Sequence, residues 1–211
     1  MKRLRYFLFI ILSVAVSGCT KQQAGACENE VDARCSCPPM VKIVPCNTFS
    51  VAEAQQIRDH LQAFRQRYFA QDSDTFITIA EPVQLDKTLM NKGATRFSAP
   101  KILNLLQKNR DSNEIVIALL HNDISTNKNS RDWGVLGLSY RGRCVSVAST
   151  YRVKEKAEFW KVVAHELIHA YCNYGHCPDD NPACIMKDAK GHPNLKKQHG
   201  LCETCQKNLL K

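Results

Sequence analysis

Apolar residues recur along this chain in two periods, and the switches between them predict its elements. From Ser50 onward Val51, Ala54, Ile57, Leu61, Phe64 and Tyr68 fall three or four apart, the spacing of one helical face. Ser50 and Glu53, three residues apart, form a capping-box signature at that helix's start. Ile102, Leu103, Leu105 and Leu106 predict a second amphipathic helix, introduced by Ser98 and Pro100. Val41 to Val44 and Thr75 to Ala80 read as strands, and Glu114 to Leu120 is a continuous apolar run, as expected of a strand buried on both faces. Thr126 to Asp132 reads as a loop and Val135 to Leu138 as a short apolar piece. Arg143 to Ser149 alternates as a final strand carrying Cys144. A third helix then places Trp160, Val163, Ala164, Leu167, Ile168 and Tyr171 on one broad stripe. The order strand, helix, strand, helix, strand argues an α/β layer built from crossover units.

Composition fits one globular domain: 211 residues, 44% hydrophobic and 23% charged. The N-terminus stands apart. Lys2, Arg3 and Arg5 precede an apolar run, Tyr6 to Val16, that is short for a bilayer span and ends in Val16-Ser17-Gly18-Cys19. That ending resembles a bacterial lipobox, which predicts a signal peptide over 1–18 and lipidation (palmitate or a similar acyl chain) at Cys19. The expectation is an exported protein, anchored to a bacterial membrane at a periplasmic face or cell surface. Removing the three basic residues takes the formal charge from +9 to +6. The remaining cations are scattered among acids without aromatic interleaving, which excludes a nucleic-acid interface and leaves weak attraction to anionic headgroups.

Export also governs the eleven cysteines. Cys27, Cys35, Cys37 and Cys46, interspersed with prolines, predict a stapled extension over 19–46 with three possible pairings, ahead of a main domain at 47–211. His60 reads as decoration on a polar helix face. His121, Asn122 and Asp123 follow a buried strand, where α/β proteins often place functional loops, but an ordinary polar loop explains them.

The chemistry concentrates between Phe159 and Met186. His165-Glu166-Leu167-Ile168-His169 is an H-E-x-x-H pattern, whose two histidines share a helix face and can grip one zinc ion. Hydrolysis needs a third ligand, an open position for water, and a base. His176 supplies the third ligand once the helix turns, a turn that Asn173 or Gly175 permits, and Glu166 is the general base. Beyond it, Cys177, Cys184, Cys202 and Cys205 either hold a second, structural zinc or form two disulfides. The C-x-x-C spacing of the last pair favours chelation.

These residues resemble the archaemetzincins, a branch of the metzincin metallopeptidases with the pattern H-E-x-x-H-x-x-G-x-x-H-C, then C-x-M, then C-x-x-C. The match runs through His165, Glu166, His169, His176-Cys177, Cys184-Ile185-Met186 and Cys202-Glu203-Thr204-Cys205. The resemblance implies a mixed twisted sheet with packed helices, an active-site helix, a Met-turn at Met186 and a small Cys-rich C-terminal subdomain. It also implies two zinc ions, one catalytic and one structural. Two departures stand out: Cys172 occupies the family's glycine position, and His176 comes one residue late. Asp179 or Asp180 is the alternative third ligand, and Cys144 with Cys172 is left to form a disulfide.

The sequence therefore predicts a monomeric zinc-dependent metallopeptidase (endopeptidase or aminopeptidase), acting on peptides or proteins through zinc-activated water and Glu166. A substrate peptide would pair with the Arg143 to Ser149 strand. The alternative is a non-catalytic zinc-binding surface lipoprotein that keeps the fold.

Overall fold

The apolar run Glu114–Leu120 forms a strand whose seven residues are all buried, and its alternating side chains divide the core in two. A computed structural model of the protein describes residues 40–69, 76–128, 131–190 and 193–209. The lipobox, Cys19, Cys27, Cys35 and Cys37 lie outside the described residues. Among the described residues no helix is long and apolar enough to cross a membrane. The strands are β1 (Met40–Pro45), β2 (Ile77–Ile79), β3 (Phe97–Ser98), β4 (Glu114–Leu120), β5 (Ile124–Lys128), β6 (Arg131–Val135), β7 (Gly137–Tyr140) and β8 (Val145–Ser149). The helices are α1 (Val51–Tyr68), α2 (Ala99–Asn109), α3 (Phe159–Cys172) and α4 (Glu203–Leu209). The main sheet has the order β2-β1-β4-β8-β7, with β7 antiparallel to β8 and the other pairs parallel.

On one face Val41, Ile43, Ile115, Ile117, Leu119 and Ala148 pack against α1, α3 and the C-terminal segment. On the other, Val44, Val116, Ala118, Leu120, Val145 and Val147 pack against α2 and the small β3-β5-β6 sheet. The fold is thus α/β with helices on both faces, as the crossover pattern predicts. Ser50 and Glu53 close their capping box at α1, the Glu53 amide donating to Ser50 Oγ at 3.2 Å and the Ser50 amide to Glu53 Oε2 at 2.9 Å. The strand at Val41 to Val44 is β1. It is paired on both edges, so the domain expected at 47–211 takes in residues 40–46 as well.

Three expectations are corrected. Thr126 to Asp132 is not a loop: β5 and β6 form an antiparallel hairpin, register Asn127↔Asp132, on the margin of the molecule. Asn127, Arg131 and Asp132 are exposed, Ile124 and Val135 anchor the hairpin to the core at its base, and the backbone ladder holds the rest. Arg143 and Cys144 belong to the turn before β8, where Cys144 adopts φ 58°. The Arg143 to Ser149 segment also cannot receive a peptide, because β8 lies between β4 and β7. Among the described residues, the open antiparallel edge beside α3 is β7.

Candidate metal centre

α3 is buried on almost every side. Val163, Ala164 and Ile168 face the sheet core, while Lys161 donates its ammonium protons to the Leu195 and Gln198 carbonyls at 2.8 and 2.6 Å, fastening the C-terminal segment across the helix. His165 and His169, one turn apart, sit with ring centroids 4.5 Å apart. The helix then stops at Asn173, whose φ of 51° is left-handed. Asn is among the few non-glycine residues that take that conformation at small cost.

This stop explains the late third histidine. The turn residue is Asn173 and not residue 172, so turn residue, two residues, histidine is kept as Asn173-Tyr174-Gly175-His176. Cys172 is the helix's own last residue, and the extra position is absorbed as helix. The His176 ring lies 5.3 Å from that of His165 and 5.0 Å from that of His169. One ring nitrogen from each of the three comes within 4.8 Å of the others. Asp179 and Asp180 are outside this group; both are exposed, and Asp180 pairs with Lys187 at 2.6 Å.

Backbone carbonyls fix the tautomers. His165 Nδ1 lies 2.8 Å from the Ile185 carbonyl and His169 Nδ1 2.6 Å from the Tyr174 carbonyl. A carbonyl only accepts, so each Nδ1 carries the proton and each Nε2 presents a bare lone pair. Those two Nε2 atoms face one another at 2.9 Å. Burial first, and then the neighbouring imidazoles, push His165 down to about 3; burial likewise pushes His169 down to about 4. With both Nδ1 protons committed to carbonyls, the facing Nε2 lone pairs are an arrangement that a shared cation would satisfy. His176 Nδ1 has Asp188 3.9 Å away. Glu166 is buried; burial pushes its carboxyl up to about 7 against the opposing pull of the Ser139 hydroxyl 2.6 Å away. Met186 is fully buried, and its carbonyl accepts from the Cys177 amide at 2.7 Å.

The second cluster begins one residue after His176. The sulfurs of Cys177, Cys184, Cys202 and Cys205 all lie within 4.8 Å of one another. Cys177–Cys202 and Cys184–Cys205 are each 3.6 Å apart, with no disulfide formed. Four thiolates about 2.3 Å from one zinc would stand about 3.8 Å apart at tetrahedral corners, so this spacing suits an ion. The Cys202 amide donates to Cys184 Sγ at 3.4 Å, and Tyr174 donates its phenol proton to Cys205 Sγ at 3.5 Å. Tyr174 therefore touches both clusters, by its carbonyl at His169 and its hydroxyl at Cys205.

Of the other cysteines, Cys46 is buried at 1% exposure, its thiol pushed up to about 12 by burial, and has no disulfide among the described residues. Cys144 and the end of α3 meet where the Cys144 amide donates to the Ala170 carbonyl at 3.0 Å, but no disulfide joins Cys144 to Cys172. His60 stacks on Trp160 at the surface, away from the histidine cluster. His121 hydrogen-bonds to Thr150 at 2.8 Å and pairs with Glu53. Sequence patterns did not indicate Ser139, Gly137 or the carbonyls of Tyr174 and Ile185. Backbone acceptors have no residue signature, and Ser139 lies 27 positions before Glu166.

No family model matches the chain. It is 29% identical over 141 residues to the archaemetzincin of Nanoarchaeum equitans (strain Kin4-M), covering 66% of this chain and 77% of that one. The crystal structure of archaemetzincin from Methanopyrus kandleri superposes with a TM-score of 0.63 at 19% identity, over 82% of this chain and 94% of that one. That from Archaeoglobus fulgidus, complexed with malonate, gives 0.58 at 15% identity, over 80% and 99%. In sequence and in fold, the chain is archaemetzincin-like.

Proposed function

We propose that the protein is a zinc metallopeptidase that cleaves peptide bonds with Glu166 as general base. The supporting observation is the trio of His165, His169 and His176, with two Nδ1 protons committed to backbone carbonyls and the Nε2 lone pairs turned inward. Zinc held there would polarise the scissile carbonyl and acidify the attacking water. Glu166, next in sequence to His165 and shielded from bulk water, takes that water's proton and returns it to the leaving amine. The unpaired edge of β7 receives the peptide as an added strand, in place of the interior β8. Cys177, Cys184, Cys202 and Cys205 hold a second zinc that fixes the segment carrying the Ile185 carbonyl, giving two ions per chain.

The lipobox supports export and a lipid anchor at Cys19, so the peptidase works on peptides or proteins at a bacterial membrane surface. Digestion of a peptide library with and without chelator tests the activity, with Glu166→Gln in parallel. The variant is expected to keep its zinc and lose hydrolysis. A protein that binds zinc but cleaves nothing is the non-catalytic alternative, and unchanged turnover by Glu166→Gln sinks the base assignment.

A further inference from the structure

The Glu166 carboxylate does not lie loose in its pocket. Gly137 and Ser139, two apart on β7, present the same strand face to α3, while Leu138 and Tyr140 pack on the opposite core. Ser139 Oγ stands 2.6 Å from Glu166 Oε2 and 2.8 Å from the Glu166 main-chain carbonyl. The hydroxyl has one proton, which these two acceptors share, so the tip of the side chain is held beside its own backbone. The carboxylate's other oxygen lies over Gly137. A methyl group at Gly137 would come within 2.6 Å of Glu166 Cγ and 2.7 Å of Oε1, so only glycine leaves that space. The Ser139 hydrogen bond to the carboxylate goes to Oε2 and leaves Oε1 on the Gly137 side.

We infer that Ser139 is a positioning residue for the reaction proposed above: it occupies Oε2, fixes the plane of the carboxylate, and leaves Oε1 as the oxygen that takes the proton. The inference rests on the metallopeptidase reading, but its geometry is separate from that of the metal ligands. A base free to rotate about its last bonds would spend much of its time out of line with the water, and a misplacement of about 1 Å costs roughly 100-fold in rate. Gly137 and Ser139 also tie the base to the strand whose open edge is proposed to receive substrate, so peptide and base share one rigid element.

The test compares wild type, Ser139→Ala, Ser139→Thr and Glu166→Gln on one fluorogenic peptide, with zinc content measured for each. Ser139→Ala is expected to lower kcat by about 10- to 100-fold, with KM within about twofold and zinc content unchanged. Ser139→Thr restores the hydroxyl and is expected to recover kcat to within about threefold. Wild-type kcat in Ser139→Ala beside an inactive Glu166→Gln overturns the role of Ser139 and leaves the base in place. A loss in Ser139→Ala that comes with loss of zinc, or that Thr does not rescue, also overturns it in favour of a structural role. Wild-type turnover by Glu166→Gln removes the reading beneath both.

Discussion

Asn173 decides whether a helix one residue longer than the family pattern still delivers His176 to the metal centre. Its backbone, φ 51° and ψ 20°, is left-handed, and the histidine follows three residues later. A residue such as alanine costs about 1–2 kcal/mol there, because its Cβ crowds the following carbonyl. Glycine pays no such cost, and its greater unfolded-state freedom offsets part of the gain. For a domain of this size 1 kcal/mol corresponds to about 2–4 °C in Tm. Asn173→Ala should therefore melt about 2–8 °C below wild type, with Asn173→Gly within about 2 °C of it, by differential scanning calorimetry on chelated protein. Strain at the turn is released by tilting the Tyr174 carbonyl off His169, so Asn173→Ala should also bind zinc more weakly, by about tenfold in competition with a chromogenic chelator. If Ala and Gly behave alike in both measurements, the left-handed turn is not what absorbs the extra residue.

Other outcomes follow from the same geometry. Gly137→Ala drives a methyl group into Glu166 and should lower turnover about 100-fold while zinc content holds, measured by kinetics beside metal analysis. In metal-free protein, His165 and His169 titrate well below their ordinary range, so the unfolded chain binds more protons than the native state below about pH 6.5. Glu166, pushed up to about 7, works in the opposite direction and offsets one of those two protons above about pH 4.5. Stability should therefore rise with pH between about 4.5 and 6.5 in urea titrations, and more steeply in Glu166→Gln. A slope that falls with pH would contradict the neutral, buried imidazoles. If a second zinc sits on Cys177, Cys184, Cys202 and Cys205 as proposed, chelation should expose all four together to a thiol reagent, whereas two disulfides would leave all four unreactive.

How far the sequence disclosed this arrangement depended on how local each signal was. Ser50 and Glu53 announced α1, the run Glu114–Leu120 announced β4, and H-E-x-x-H announced its own helix, because each carries its partners within a few residues. The β5–β6 hairpin had no such mark. Residues 126–132 are polar, the strands are held by backbone bonds, and periodicity reports only on buried faces. Asn173 and Gly175 were both legible as turn formers, but which of them ends the helix depends on how far the helix runs, and the left-handed residue is Asn173. Ser139 and Gly137 were hidden for a further reason. Their meaning comes from β7 lying against α3, a long-range contact between residues of common type. The Ile185 and Tyr174 carbonyls, which fix two histidine tautomers, would have escaped any reading of side chains.

Metal counting on purified protein decides between a hydrolytic zinc on three histidines beside a structural zinc on four cysteines and any other arrangement. Wild type should carry two zinc per chain, and His176→Ala should lose one of them while the cysteine-held ion remains. A single zinc in wild type, or two retained in His176→Ala, would contradict the assignment of the third ligand and with it the proposed active site.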